Sequence, residues 1–91
     1  MPATYEDIKK HIDCGRTQEA LNLINTTLSL RPDDPSLLYL RGKAFMKTGN
    51  WQQAINSFLS AEKNDPQGPA AQARRMLADI LEFYNKDMYN H

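Results

Sequence analysis

The chain repeats part of its own sequence at an interval of 34 residues, and this repetition constrains the fold more than any other feature. Aligning residues 1–34 with residues 35–68 gives seven identical pairs: Tyr5/Tyr39, Lys9/Lys43, Gly15/Gly49, Gln18/Gln52, Ala20/Ala54, Asn22/Asn56 and Pro32/Pro66. These pairs include glycines that suit turns, alanines that suit close helix crossings and prolines that end helices. A period of this length indicates a helical unit that buries its core by stacking on neighbouring copies.

The local pattern within each unit is helical. The chain contains no valine, and no segment alternates apolar and polar residues as a half-buried strand does. Apolar residues instead recur every three or four positions between glycine and proline boundaries. We therefore predict an all-α chain of about five helices. The predicted boundaries are a Thr17 cap for the second helix, Asp34-Pro35 before the third, an Asn50 cap for the fourth, Gly68-Pro69 before the fifth, and left-handed glycines at Gly15 and Gly49.

The second unit resembles the tetratricopeptide repeat. That family's pattern places a large residue, a glycine and an aromatic on the first helix, where this chain has Leu38, Gly42 and Phe45. On the second helix the pattern asks for aromatics, alanines and a final proline, and the matching residues are Trp51, Ala54, Phe58, Ala61 and Pro66. The resemblance implies a superhelix of helical hairpins. Gly42 and Ala54 would lie at a close crossing, with the aromatics filling the wedge between helices.

The resemblance covers essentially the whole chain and implies a single domain, residues 1–91. Residues 1–34 form a degenerate repeat, since Ile8 and His11 replace the first glycine and the first aromatic, and we expect a looser helix crossing there. Residues 35–68 form a well-matched repeat. Residues 69–91 supply a C-terminal capping helix, because Phe83 stands where the turn glycine belongs. The aromatic tail Phe83–Tyr89 is expected to pack on the domain or to bind another chain.

Composition and motif content argue against several classes of function. The chain has 11 basic and 11 acidic residues, which gives no reason to expect a nucleic acid or an anionic membrane as partner. No apolar run is long enough to span a bilayer, and no secretory signal follows Met1. The single cysteine, Cys14, forms a pair with His11, but zinc needs about four ligands. We therefore expect a cytoplasmic protein that is not an enzyme and that binds no cofactor and no metal.

The resemblance also implies a concave groove lined by the first helix of each unit. The predicted partner-binding residues of this groove are Tyr5, Lys9, Tyr39, Leu40, Lys43, Met46, Lys47, Arg74 and Leu77. Two of the identical pairs, Tyr5/Tyr39 and Lys9/Lys43, fall among them although packing does not require their identity. A row of tyrosines beside a row of lysines suits an extended peptide that carries a carboxylate. The alternative, that these are simply surface residues of a duplicated segment, fits the sequence equally well.

The function implied by the resemblance is a small protein–protein interaction module that presents a concave groove to another protein or an extended peptide. The carboxylate clamp with which some family members hold acidic chaperone tails is disfavoured, because only Arg74 matches its pattern. The alternative is a structural protein whose apolar groove and C-terminal helix serve homodimerisation. Apolar residues occur around much of the fifth helix, as they do on helices buried on more than one side, and they keep this alternative open.

Overall fold

The computed structural model describes residues 5–89, and it describes the side chains of residues 5–82. Five helices follow one another along the chain: α1 (Tyr5–Asp13), α2 (Thr17–Leu28), α3 (Pro35–Lys47), α4 (Trp51–Asn64) and α5 (Ala70–Tyr89). No strand occurs within residues 5–89, so the all-α prediction is confirmed. None of the helices in the described part of the chain is both long and apolar enough to cross a bilayer.

The turns inside the two hairpins depend on glycine. Gly15 follows α1 with φ +83° and Gly49 follows α3 with φ +78°, which is the left-handed conformation that glycine adopts without a steric penalty. The N–H groups of Arg16 and Asn50 reach back to the carbonyls of His11 and Phe45, at 2.8 and 2.9 Å, and close the two turns in the same way. Both glycine predictions are therefore confirmed.

The helix N-termini follow the sequence prediction at α3 and at α5, which begins at Ala70 directly after Gly68-Pro69, and the predicted caps of α2 and α4 are not formed. Asp34 caps α3, because its Oδ1 accepts hydrogen bonds from the backbone N–H of Ser36 at 2.9 Å and of Leu37 at 3.4 Å. Thr17 is not a cap: it is the first residue of α2, and Arg16 precedes it without a side-chain bond to the helix. Asn50 does precede α4, but its amide donates to Thr48 Oγ1 at 2.9 Å instead of bonding the helix.

The core consists of two apolar clusters that follow one another along the chain and share packing partners in Leu28 and Tyr39. The first cluster joins α1, α2 and α3 through Ile8, Ile12, Ala20, Ile24, Leu37, Leu40 and Ala44. The second cluster joins α3, α4 and α5 through Leu38, Ala54, Phe58, Ala61, Ala70 and Leu77. Helices therefore bury themselves mainly against their neighbours in sequence, which gives an elongated array of 53 × 27 × 17 Å.

The tight helix crossing of the second unit brings Gly42 of α3 against Phe58 of α4. A Cβ atom built on Gly42 would lie 2.4 Å from Phe58 Cε1, so only glycine fits here. Phe58 is fully buried, and its ring is 5.8 Å from the Tyr39 ring. Trp51, predicted to fill the same wedge, is instead 43% exposed. Trp51 is the first residue of α4, at the end of the helix, and it borders an apolar depression at the surface.

The first hairpin is held less closely than the second. The contact between α3 and α4 is the most extensive in the described part of the molecule, whereas α1 and α2 share a smaller one, as the replacements at Ile8 and His11 suggested. His11 lies partly exposed, and its Nδ1 accepts a hydrogen bond from Arg16 Nε at 2.9 Å. A polar contact at the rim thus occupies the position where the second repeat has a large aromatic side chain.

Candidate functional site

The first helices of the units, α1 and α3, and the terminal helix α5 line one face of the array. This concave face contains two depressions that share Tyr39 and Pro69 in their walls. The first depression, about 200 Å³, is lined by Tyr5, Glu6, Lys9, Pro35, Ser36, Tyr39, Leu40, Ala61, Asp65, Gly68, Pro69 and Ala70. The second, about 290 Å³, is lined by Tyr39, Lys43, Met46, Pro69, Gln72, Ala73, Met76, Leu77 and Ile80. We call the two together the groove.

Three predicted lysines of the groove are exposed and have no acidic partner in the described part of the chain. Among residues 5–82, no carboxylate lies within ion-pair distance of Lys9, Lys43 or Lys47. Lys43 Nζ lies 5.9 Å from the centre of the Tyr39 ring, so its charge faces the ring across the wall of the groove. Lys9 borders the first depression and Lys43 the second. The groove therefore presents lysines that form no ion pair with a described carboxylate, although Glu6 and Asp65 also line the first depression.

The two equivalent tyrosines of the repeats have different surroundings. The Tyr5 hydroxyl donates to Asp34 Oδ2 and accepts from Arg31 Nη1 at 3.5 Å. Its hydrogen bond to the Asp34 carboxylate raises the pKa of Tyr5. Tyr39 is partly buried and packs against Phe58, and its hydroxyl forms no hydrogen bond with the residues that the structure describes. Tyr5 therefore connects α1 to the loop before α3, while the hydroxyl of Tyr39 is free to contact a ligand.

The predicted apolar residues of the groove form its floor to different degrees. Met46 is partly buried and lines the second depression. Leu40 is 9% exposed and Leu77 only 1%, so both belong mainly to the core. Their side chains lie beneath the groove surface, where they shape it and leave little of their own area to a partner.

Arg74, also predicted for the groove, is engaged within the chain. Its Nε and Nη2 donate to the two carboxylate oxygens of Glu62 at 2.6 and 3.2 Å, which is a bidentate pair between α5 and α4. The bond lowers the pKa of Glu62 and raises that of Arg74. The charge of Arg74 is thereby neutralised, and the pair fixes the position of α5.

Apolar residues of α5 other than the predicted partner-binding residues also reach the surface. Met76 is 57% exposed and Ile80 is 46% exposed on the outer wall of the groove. Beyond them lies an apolar depression of about 420 Å³, lined by Met46, Trp51, Leu77, Ile80 and Leu81. The apolar character of α5 was visible in the sequence, but which of its residues would face solvent depended on how it packs on α4.

The structure adds little to the other candidate chemistry. Cys14 is exposed, and no group of three His, Cys, Asp or Glu side chains within residues 5–82 could hold a metal ion. Arg41 is partly buried, its Nε donates to Ser57 Oγ at 2.9 Å, and burial lowers its pKa. This bond links α3 to α4, which is a structural role. The side chains of the aromatic tail Phe83–Tyr89 lie outside the described residues, although its backbone continues α5.

Comparison with known proteins gives a match to one family model and to a solved structure. The tetratricopeptide repeat model matches residues 11–69 and 39–82. The chain is similar to the Bacteroides fragilis protein BF1650, known from a solution NMR structure, with a TM-score of 0.86 and 43% sequence identity. The match covers 96% of this chain and 89% of the other. No curated protein matches the chain significantly.

Proposed function

The chain belongs to the tetratricopeptide repeat family, and from that premise we propose that it is a protein–protein interaction module. The family suggests this class, since stacked repeats present a concave surface to other proteins. In the proposal the groove holds an extended segment of a partner, the chain catalyses nothing, and it acts as a cytoplasmic adaptor without a cofactor. The presence of Lys9 and Lys43 along the groove, neither of which forms an ion pair with a described carboxylate, supports the proposal most directly.

The chemistry of the groove suits a partner segment with an acidic residue next to large apolar ones. Each lysine can pair with a carboxylate, and the free Tyr39 hydroxyl can donate a hydrogen bond to a backbone carbonyl. Met46 and Met76 offer adaptable apolar contacts to the same segment. Because the lysines lie at the rim, they are expected to steer and orient the partner, while the apolar floor contributes most of the buried area.

Selection from a random peptide library displayed on phage tests this proposal. Peptides retained by the protein should be enriched in Asp or Glu, and adding one to labelled protein should shift the backbone resonances of Tyr39 and Lys43. The double substitution Lys9→Glu, Lys43→Glu should abolish retention and leave helicity intact. The double substitution Lys10→Glu, Lys63→Glu makes the same change in charge at exposed residues outside the groove and should retain the peptides. Equal retention by both variants would place the binding surface elsewhere.

Homodimerisation through the groove and the C-terminal helix is the second candidate function. The exposed Met76 and Ile80 favour it, because large apolar side chains on one helix face are typical of an interface. These two residues border only one of the two depressions, so a dimer formed through them would leave the region between Tyr5 and Tyr39 open.

A further inference from the structure

An apolar strip runs along α5 at the wall of the second depression. Met76 and Ile80 are one helical turn apart, so they lie on the same face of α5, and both are about half exposed. The strip continues into the apolar depression beside it, where Trp51 of α4 is 43% exposed. The end of a repeat array is ordinarily covered by a helix with a polar outer face, and on α5 this apolar strip lies beside such a face.

A row of charged residues runs along one edge of this strip. Arg75, Asp79 and Glu82 are spaced by four and three residues, which places them on one side of α5, next to Met76. All three are exposed, and none forms an ion pair with another described side chain. The row is basic at its N-terminal end and acidic at its C-terminal end, and this order is self-complementary when two copies run antiparallel.

We propose that a second copy of this chain covers this strip, with the two α5 helices antiparallel about a two-fold axis that crosses them midway between Met76 and Ile80. Such an axis places Met76 opposite Ile80 of the second copy, and Arg75 next to its Asp79 and Glu82. The axis is perpendicular to both helices, so the two charged rows lie on the same side of the contact and face each other. Every pair is made twice, as a self-complementary interface requires.

The order of charges distinguishes this arrangement from the other ways of covering the strip. A parallel pair of helices would place the two charged rows on opposite sides of the contact, so Arg75 of one copy could not meet the acids of the other. If an unrelated protein covered the strip, the basic end and the acidic end of this row would have no reason to match each other in charge. The inference gives the second candidate function a specific contact. This contact overlaps with peptide binding at the second depression, which Met76 and Ile80 line together with Tyr39 and Lys43, and it leaves the first depression open. The mass in solution tests it separately from the retention of peptides.

Charge-exchanged variants test the proposal. The mass of the wild-type chain in solution should rise from 10.4 kDa towards twice that value with concentration. Arg75→Glu alone, and Asp79→Lys with Glu82→Lys, should each weaken self-association by about tenfold or more, because like charges then face each other. An equal mixture of the two variants should dimerise again. In the mixed pair the new glutamate of the first variant faces the new lysines of the second, while Arg75 of the second pairs with the unchanged acids of the first.

The controls separate the proposed contact from other effects. Lys63→Glu makes the same change in charge on α4, outside the contact, and should leave the mass unchanged relative to wild type. Circular dichroism of each variant shows whether the helices remain, and the mixture reports on the contact even if one variant is less stable. A wild-type mass that stays at 10.4 kDa over a hundredfold range of concentration would overturn the proposal. So would a mixture that stays monomeric while the wild type dimerises.

Discussion

At the scale of single residues, the contact between Gly42 and Phe58 leaves no room for a methyl group. We predict that Gly42→Ala lowers the free energy of unfolding by about 1–3 kcal/mol, because the added Cβ would lie 2.4 Å from the buried ring. Urea unfolding measures the change. In a Phe58→Leu background the same substitution should cost less, since the ring atoms nearest to the new Cβ are gone. A neutral or stabilising Gly42→Ala would show that the helices separate easily at this crossing.

The bond between Arg74 and Glu62 gives the stability a dependence on pH. Because the bond lowers the pKa of Glu62 below its ordinary value of 4.5, the carboxylate binds its proton more weakly in the folded chain than in the unfolded one. Its stabilising contribution is therefore complete above pH 4.5 and is lost as the pH falls through the lowered pKa. Unfolding curves of Glu62→Gln should lose less stability over this range than those of the wild type. Parallel losses in the two proteins would contradict the prediction.

The residues that the sequence placed correctly are those whose role depends on local geometry or on the repeat. Gly42 and Phe58 follow from the pattern of one unit. The helical period puts Lys9 and Lys43 at the border of the two depressions, while their part in binding a partner stays a prediction. Arg74 was placed on the same surface, but its pairing with Glu62 depends on how α5 lies across α4, which no local pattern determines. Trp51 matched the pattern equally well and is nevertheless 43% exposed, where it borders an apolar depression with Leu77, Ile80 and Leu81 of α5.

At the scale of the helices, α3 begins with the only side-chain cap seen among the described starts of α2, α3 and α4. We predict that Asp34→Ala lowers the free energy of unfolding by about 0.5–2 kcal/mol, since two helix amides lose their acceptor. The matched change Asn50→Ala should cost less, because Asn50 accepts no bond from an α4 amide. Tyr5→Phe should cost stability in the wild type and little in the Asp34→Ala background, since both substitutions remove the same bond. Urea unfolding measures all four variants, and equal costs at positions 34 and 50 would contradict the assignment.

Helix ends show what sequence can determine at this scale. Glycines after α1 and α3 identify those ends, because the left-handed backbone excludes most other residues. Thr17 and Asn50 are residue types that often cap helices, yet no side-chain hydrogen bond caps the start of α2 or α4. A polar side chain near a helix start can instead bond to neighbouring turn residues. The type of residue thus predicted that a helix begins nearby, while the bond itself depends on the turn that precedes it.

At the scale of the whole molecule, the contacts between helices are most extensive at the centre of the array and become smaller towards α1. Within the described part of the chain, helix α3 contacts α1, α2 and α4, whereas α1 contacts only α2 and α3 to a notable extent. We predict that native-state hydrogen exchange is slowest for the amides of α3 and α4 and faster for those of α1, which can open without disturbing the second core cluster. Amides of α1 that exchange as slowly as those of α3 would show that the array opens only as one unit.

The hydroxyl of Tyr39, which bonds no described residue, determines what a longer array with more copies of the second repeat would present. In the first unit the tyrosine is tethered by Asp34, and the residue at the corresponding position of the second unit is Gly68, which has no side chain to offer. Each additional copy of residues 35–68 inserted into the chain would therefore bring a tyrosine without a tether and a lysine without an acid. The binding surface would grow by identical modules, while the tethered Tyr5 would remain a single anchor at the first helix.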